Sequence, residues 1–437
     1  MAELNADHPQ NIRVTRWERF RYAWVGALAL LSVVALGVYY GYASDERLPS
    51  FHLETVEGDS SIGSEIRLDG SYGGRKGNRS MQVDAEGTRY TDANRVGRLF
   101  ILPFSKTYTA STEALIKAHR EFMRGKEYGT FEQNEDKLIY AELVHKEGRA
   151  ILKLSVLNKK TEKSENYSWQ AGSWKQREQV YIADMQIEGE LAHLLIIRST
   201  ATLSNESIAP QLFDYVFELS AGKLVDTREI RLPVQAGYDV SVANRGTNAD
   251  SVHAVIFTSR VKGTSTAAGG ASSQPAASTE APIIEYKPFI YNYRDGSVKS
   301  LDLAIPDNMT HTNYYVDGDK LYGVTVDGNP VSWRGESFNI VETDLLTQAQ
   351  TAAYTLNASD YGGEEILAPR FKDGKFYFIV SGAQAKESIG RASTKVVVVE
   401  AGTGKAVYEG QVAYEGPSNE AASELSQTVL LNLELRS

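Results

Sequence analysis

The chain has 437 residues, 42% hydrophobic, 23% charged and 10% aromatic, enough apolar mass for one large core or two modest ones, and disorder throughout is excluded. It contains no cysteine, which excludes disulfides, thiolate metal sites and a cysteine nucleophile. A formal charge of −10 argues against nucleic acid or anionic lipid headgroups as the main partner of the whole chain. The 24 tyrosines and 36 glycines, against 12 prolines and 5 methionines, favour strands joined by tight turns.

Taken from the N-terminus, residues 22–42 (YAWVGALALLSVVALGVYYGY) carry no charge. As a helix rising ~1.5 Å per residue the run matches the roughly 30 Å hydrocarbon core of a bilayer, so it is predicted to cross once. Trp24, Leu28, Leu31, Val34, Leu36 and Tyr39 are the expected anchor residues. Arg13, Arg16, Arg19 and Arg21 precede the run, whereas Asp45, Glu46 and Arg47 follow it. The positive-inside rule then puts a tail, 1–21, in the cytoplasm and everything beyond a short linker, 43–50, outside. Trp17 and Trp24 on one side and Tyr39, Tyr40 and Tyr42 on the other suit interfacial aromatic belts. A cleaved signal peptide competes, because Gly41-Tyr42-Ala43 is a small-x-small triplet. A retained anchor is the preferred expectation, since the run exceeds the usual h-region and bulky tyrosines crowd that triplet. An exported domain without cysteine suits an organism that does not rely on external disulfides, such as a Gram-positive bacterium.

From residue 51 onward, short apolar or alternating runs broken by turn signals predict strands, among them 137–143, 150–157, 180–187, 191–199, 252–259, 320–326, 375–380 and 395–400. Asp-Gly at 69–70, 295–296, 317–318, 327–328 and 373–374 suits tight hairpins. A recurring strand, Gly- or Lys-bearing turn and second strand centres near residues 87, 160, 222, 296, 347 and 402. Two of the longer intervals hold insertions. One is a helix over about 111–125, with Ser111 as cap and Leu115, Ala118 and Phe122 on one face. The other is a disordered loop, 263–282, almost without charge. The corrected period of roughly 50–60 residues predicts an all-β fold, a β-propeller of six or seven blades over 51–437 behind one N-terminal transmembrane helix. An irregular pair of antiparallel β-sandwiches is the alternative. The run 427–436, with Val429, Leu431, Leu433 and Leu435 alternating, is read as a closing strand that completes a shared blade.

The unit VVVEAGTGKAVYEG, Val397–Gly410, resembles the repeat of quinoprotein-like (PQQ-like) bacterial β-propellers, in which a TGK-type turn joins the two outer strands of a blade, and FELSAGKLVDT, Phe217–Thr227, is a looser match. The regular tryptophan of that repeat is missing, Tyr408 standing in its place. The resemblance therefore implies propeller architecture and no binding residue.

Motifs that carry chemistry are sparse. There is no G-x-S-x-G elbow and no H-E-x-x-H, and no catalytic, metal or cofactor residue is assigned. Gly402-Thr403-Gly404-Lys405-Ala406 mimics the end of a phosphate loop but reads as a hairpin turn. His119 and His193 read as packed or surface histidines, and Asp317-Gly318-Asp319 and Asp84-Ala85-Glu86 as polar turns with weak calcium potential. The one local basic cluster, Tyr72 with Arg75, Lys76 and Arg79 in a glycine-rich stretch, is the candidate ligand face. Tyrosines at strand ends, such as Tyr291, Tyr293, Tyr315 and Tyr322, offer flat recognition area or simple packing.

The expected function is a membrane-anchored extracytoplasmic binding or scaffold protein of the bacterial cell surface. Its expected partners are the lipid bilayer, through the N-terminal helix, and a protein, peptide or cell-envelope glycan at the propeller loops, with no nucleic acid and no cofactor. The alternatives are a propeller enzyme (lyase, glycosidase or quinone-dependent dehydrogenase), whose residues would come from separate blades, and a sensor acting through a membrane partner.

Overall fold

The computed structural model describes residues 16–44, 48–74, 77–91, 109–126, 129–173, 178–200, 210–233, 238–245, 252–261, 284–303, 312–329, 332–382 and 394–436. The chain divides into two compact units, Met1–Pro49 and Ser50–Ser437. In the first, α1 (Arg16–Ser44) holds the whole uncharged run in one helix of 29 residues. The six expected anchor side chains are 55–69% exposed. Side chains in α1 are described at 23–37 and 39. Among the described residues no helix is long and apolar enough to cross a membrane. The expected crossing over 22–42 is thus not borne out by them, the described side chains of α1 covering only part of that run.

The second unit is almost entirely antiparallel sheet. It begins with β1 (Phe51–Gly58), α2 (Ser60–Ser64), β2 (Ile66–Gly74), β3 (Gly77–Asp84) and β4 (Gly87–Thr91), followed by α3 (Ala110–Ala118) and α4 (Arg120–Met123). Next come β5 (Thr130–Gln133), β6 (Lys137–Lys146), β7 (Arg149–Asn158) and β8 (Lys163–Ser173), then β9 (Glu178–Glu188), β10 (Leu191–Thr200), β11 (Gln211–Glu218) and β12 (Lys223–Ile230). β13 (Asp239–Val242), β14 (Asn244–Arg245), β15 (His253–Val261), β16 (Ile284–Asn292) and β17 (Val298–Ser300) precede β18 (Thr312–Asp317), β19 (Lys320–Asn329), β20 (Arg334–Asp344) and β21 (Gln350–Asn357). The chain ends with β22 (Glu365–Lys372), β23 (Lys375–Ser381), β24 (Thr394–Glu400), β25 (Ala406–Tyr414), α5 (Ser418–Ser426) and β26 (Thr428–Leu435).

Four separate four-stranded sheets have the orders β26-β2-β3-β4, β5-β6-β7-β8, β9-β10-β11-β12 and β13-β15-β16-β17. A curled ten-stranded sheet contains two further four-strand meanders, β18–β21 and β22–β25, joined only where Arg334 and Gly335 meet Leu367 and Ile366. β1 adds antiparallel to the outer edge of β25, and β14 adds parallel to β18. The last strand, β26, takes first place in a sheet whose other strands come from the start of the unit. This serial arrangement of four-stranded meanders is propeller-like.

Two-sided burial explains why so many strands read as continuous apolar runs. On β10, Leu194 and Ile196 pack with Ile139, Leu152 and Leu154 of the preceding sheet. The alternate residues Leu195 and Ile197 pack with Ala254, Ile256 and Tyr291 of the following one. Val255 and Phe257 repeat the pattern toward Val316 and Leu321. Each such side chain contributes about 1.5–3 kcal/mol by leaving water, so the seams between sheets form the core.

Each of the six turn centres read from the sequence falls in the hairpin between the third and fourth strands of one meander. Both quinoprotein-like stretches are hairpins of this kind, β24–β25 and β11–β12. Three expectations need correction. Asp69-Gly70 and Asp327-Gly328 are not hairpin turns; they lie inside β2 and β19 at β-bulges. Glycine serves there because a Cβ on Gly70 would sit 2.0 Å from the Val429 carbonyl oxygen, and one on Gly328, at φ +157°, 2.5 Å from the Arg334 carbonyl oxygen. In β26 a bulge at residue 431 breaks the alternation, so Leu430 and Leu433 are buried while Leu431 is 52% exposed. The predicted helical insertion is two helices, broken at His119 (φ −133°, ψ 53°) and capped by Thr109 instead of Ser111. The loop 263–282 lies outside the described residues.

Candidate functional site

Antiparallel pairing gives every meander two unlike ends. Hairpins from first to second and from third to fourth strand share one end; connections from second to third strand, and from one meander to the next, share the other. Apart from 59–65 and 243–252, every connection longer than about five residues joins strand ends at the second, wide end. These include 92–129, 201–210, 231–238, 262–283, 301–311, 358–364, 382–393 and 415–427. The chain also enters the β unit there, since Phe51 pairs with Tyr414 and the Glu415 amide donates to the Ser50 carbonyl at 2.9 Å.

The predicted ligand-face residues belong to the β2–β3 hairpin at this end. Tyr72 and Arg79 are cross-strand partners, and Arg75 and Lys76 lie outside the described residues. Tyr72 is 6% exposed. Its hydroxyl donates to Glu424 of α5, and its ring lies 6.2 Å from both Phe51 and Tyr90. Burial and then Glu424 push the Tyr90 hydroxyl up, with Arg79 acting against them. Glu424 is a member that the sequence reading missed; α5 is short, has no side-chain cap and buries no residue, so its signal is weak.

A second cluster ties the ends of the unit together. Arg67 of β2, 2% exposed, is held by Glu434 of β26, by Glu113 of α3 at 2.7 Å and by Asp69 at 3.5 Å. Glu434 also accepts the Ala110 amide at the start of α3, at 2.6 Å. Beside them Arg436 pairs with Asp84, and Lys372 binds Glu65 at 2.9 Å and the Arg436 carbonyl at 2.8 Å. Burial, then Glu434, drives the Asp69 carboxyl up to about 6, against Arg67 and Gln82. Two of Arg67's three partners lie 46 and 367 residues away in sequence, so no local spacing announces them.

The third constellation resembles a general-base pair in composition. His193 Nδ1 lies 2.9 Å from Asp214 Oδ2, and the Tyr291 hydroxyl donates to the same oxygen at 2.8 Å. The Tyr293 hydroxyl donates to Asp184 at 2.6 Å, and Arg228 Nη1 to the Tyr293 carbonyl at 2.8 Å. His193 and Asp214 are 1% and 0% exposed, within the seam between β9–β12 and β13–β17. A base must come within hydrogen-bond reach of the proton it takes, and this pair is sealed from any substrate. Burial, then Asp214, pushes the Tyr291 hydroxyl up, which keeps it a donor. The network fixes how two sheets register. Tyr291, Tyr293, Tyr315 and Tyr322 are all buried and serve packing.

In the acidic turn, Asp319 lies 3.2 Å from His253 Nδ1, while burial and then Asp373 raise the Asp317 carboxyl. Among the described residues no group of three or more histidine, aspartate or glutamate side chains is placed to hold a metal ion. Gly402–Ala406 is the β24–β25 hairpin, with Gly404 at φ +69° against the Tyr354 ring.

No protein-family model and no curated relative matches the sequence. Among solved structures, the chain is similar to TolB from Acinetobacter baumannii (11% identity, 85% of this chain and 67% of that one, TM-score 0.29). It is also similar to a point mutant of the Synechocystis apocarotenoid oxygenase (9% identity, 85% and 97%, TM-score 0.40) and to a polysaccharide lyase (12% identity, 66% and 59%, TM-score 0.35). At these identities and scores the likenesses assign neither activity nor ligand.

Proposed function

We propose that this chain is a membrane-anchored, extracytoplasmic binding or scaffold protein whose six meanders are the blades of a closed propeller. Residues 22–42 form its single span, 1–21 stay in the cytoplasm, and the wide end takes a protein, peptide or cell-envelope glycan. The carrying observation is the asymmetry of the β unit: short hairpins at one end, and nearly all long connections at the other. Recognition surfaces are commonly built from loops on a rigid scaffold, and the seams between sheets supply that rigidity. The exposed apolar side chains of α1 support the anchor, because such a surface is costly in water and favourable in lipid. The His193–Asp214 pair is sealed inside a seam, which favours binding over turnover at that place.

The test is site-specific photo-crosslinking in intact membranes with the full-length chain. A photoreactive residue replaces Glu147, Ser332 or Glu364 at the wide end, or Glu162, Gly189 or Thr347 at the narrow end. The expected result is a discrete crosslinked partner from wide-end positions only, in the membrane fraction. Crosslinks from the narrow end alone, or full recovery of the protein in the soluble fraction, overturn the reading.

A further inference from the structure

Two bulges meet on neighbouring first strands. In β26 the pairing runs Asp69 with Asn432 and then Gly70 with Leu430, so Leu431 is the extra residue and its side chain is turned out, 52% exposed. In β22 it runs Leu367 with Ile379 and then Arg370 with Tyr377, so Ala368 and Pro369 oppose Phe378 alone. Ala368 is buried at φ +55°, a left-handed conformation that a residue with a Cβ adopts only when its surroundings impose it. The surroundings are visible: the Pro369 carbonyl accepts from the Tyr315 hydroxyl at 3.3 Å and from Arg370 Nη1 at 3.1 Å. Arg370 Nη2 reaches across to Asn432 Oδ1 at 2.6 Å, so the two bulges are tied directly.

The result is an exposed guanidinium held in place by two neutral acceptors. Other cations nearby have carboxylate partners: Arg67 with Glu434, Lys372 with Glu65, Arg334 with Glu365, Arg436 with Asp84. Among the described residues no carboxylate oxygen lies within 4.0 Å of the Arg370 nitrogens. In a chain of net charge −10, a fixed arginine without an anion is a vacancy for one. Among the described residues β26 pairs over this stretch only with β2, and β22 meets β20 only at 366–367, so neither strand has a second ladder partner beside Arg370.

We propose that the paired bulges bind the C-terminal end of a peptide whose last residue is apolar. Arg370 takes the terminal carboxylate through its fork of N–H donors, Leu431 packs against the last side chain, and a strand edge pairs with the peptide backbone. An aliphatic side chain beside a strand edge suits a peptide better than a sugar ring, which favours an aromatic platform. The inference uses the adjacency of β22 and β26 and is independent of recognition at the wide end.

The test presents full-length protein in detergent micelles with a pool of N-acetylated hexapeptides ending in Leu, Val or Phe, with free or amidated C-termini, and counts retained peptides by mass spectrometry. The free-carboxylate pool is expected to be retained at least about tenfold over the amide pool, the size of one charge-assisted contact. Arg370→Gln and Leu431→Asp each abolish the preference, and Leu431→Asp does so without moving the melting temperature, its side chain being exposed. Equal retention of the two pools, no retention, or a preference intact in Arg370→Gln overturns the site. Retention of oligogalacturonate in place of peptide overturns the ligand class. Wide-end crosslinks alongside any of these would leave the function above standing and remove only this inference.

Discussion

Ending the chain after Gln427 is expected to abolish cooperative unfolding of the β unit. β26 makes seven register pairs with β2, from Ile66–Leu435 to Tyr72–Thr428, and supplies the buried Leu430 and Leu433. Losing two buried leucines costs about 4–10 kcal/mol from the range for single core truncations, comparable with a typical total stability of about 5–15 kcal/mol. The deletion also removes Glu434 from the buried Arg67 and leaves β2 as an unpaired edge. Urea unfolding followed by tryptophan fluorescence should lose its sigmoidal transition, and limited proteolysis should cut within 51–91. A synthetic peptide of residues 428–437 should restore part of the transition. A truncated chain that unfolds as steeply as the full one would mean that β26 is an accessory strand.

The second large effect is expected at Arg67. Arg67→Met keeps much of the apolar stem but leaves Glu434, Glu113 and Asp69 facing one another without a cation, and breaking one partner out of a buried charge cluster costs about 3–5 kcal/mol. The deficit should narrow between pH 8 and pH 5. The sign follows from Asp69: Arg67 holds its carboxyl down, so without Arg67 it takes up a proton at a higher pH than in the wild type, and the variant regains stability sooner as pH falls. Adding Glu434→Gln to Arg67→Met should recover part of the loss, as measured by denaturant midpoints. A strictly additive double variant would show that the two residues do not act as a pair.

How much of this was legible in the sequence follows from the range of each interaction. Five of the six hairpin centres could be read because a turn declares itself through its own glycine, asparagine or lysine, within a few residues, while the turn at 345–349 carries none of these and follows Asp344. Strands such as 191–199 and 395–400 could be read because burial on both faces leaves apolar runs, Leu194–Ile197 and Val396–Val399, at their centres. The same Asp-Gly dipeptide, however, marks a hairpin at 317–318 and a bulge at 69–70, since both need a residue without Cβ and only the neighbouring strand decides which. The bulge at Leu431 is likewise invisible locally: the alternation of 429, 431, 433 and 435 is correct for a regular strand and out of phase for this one. Candidate sites fared worst. Tyr72 and Arg79 stood out as a basic-aromatic cluster, yet the carboxylate that engages Tyr72 comes from residue 424. Arg370 has no motif, and its interest arises only when β22 and β26 lie side by side.

Pairing of the last strand with β2 is central to the fold, and the absence of native cysteine makes it directly measurable. Ser71 and Val429 are cross-strand partners in β2 and β26, at a separation a disulfide can span. Ser71→Cys with Val429→Cys should oxidise to an intramolecular bond in the full-length protein, with no free thiol and a reduction-sensitive gel shift. Linking positions roughly 360 residues apart should raise stability by about 6 kcal/mol in the chain-entropy model. Persistent free thiols in folded monomer, or disulfides formed only between molecules, would contradict the closed arrangement.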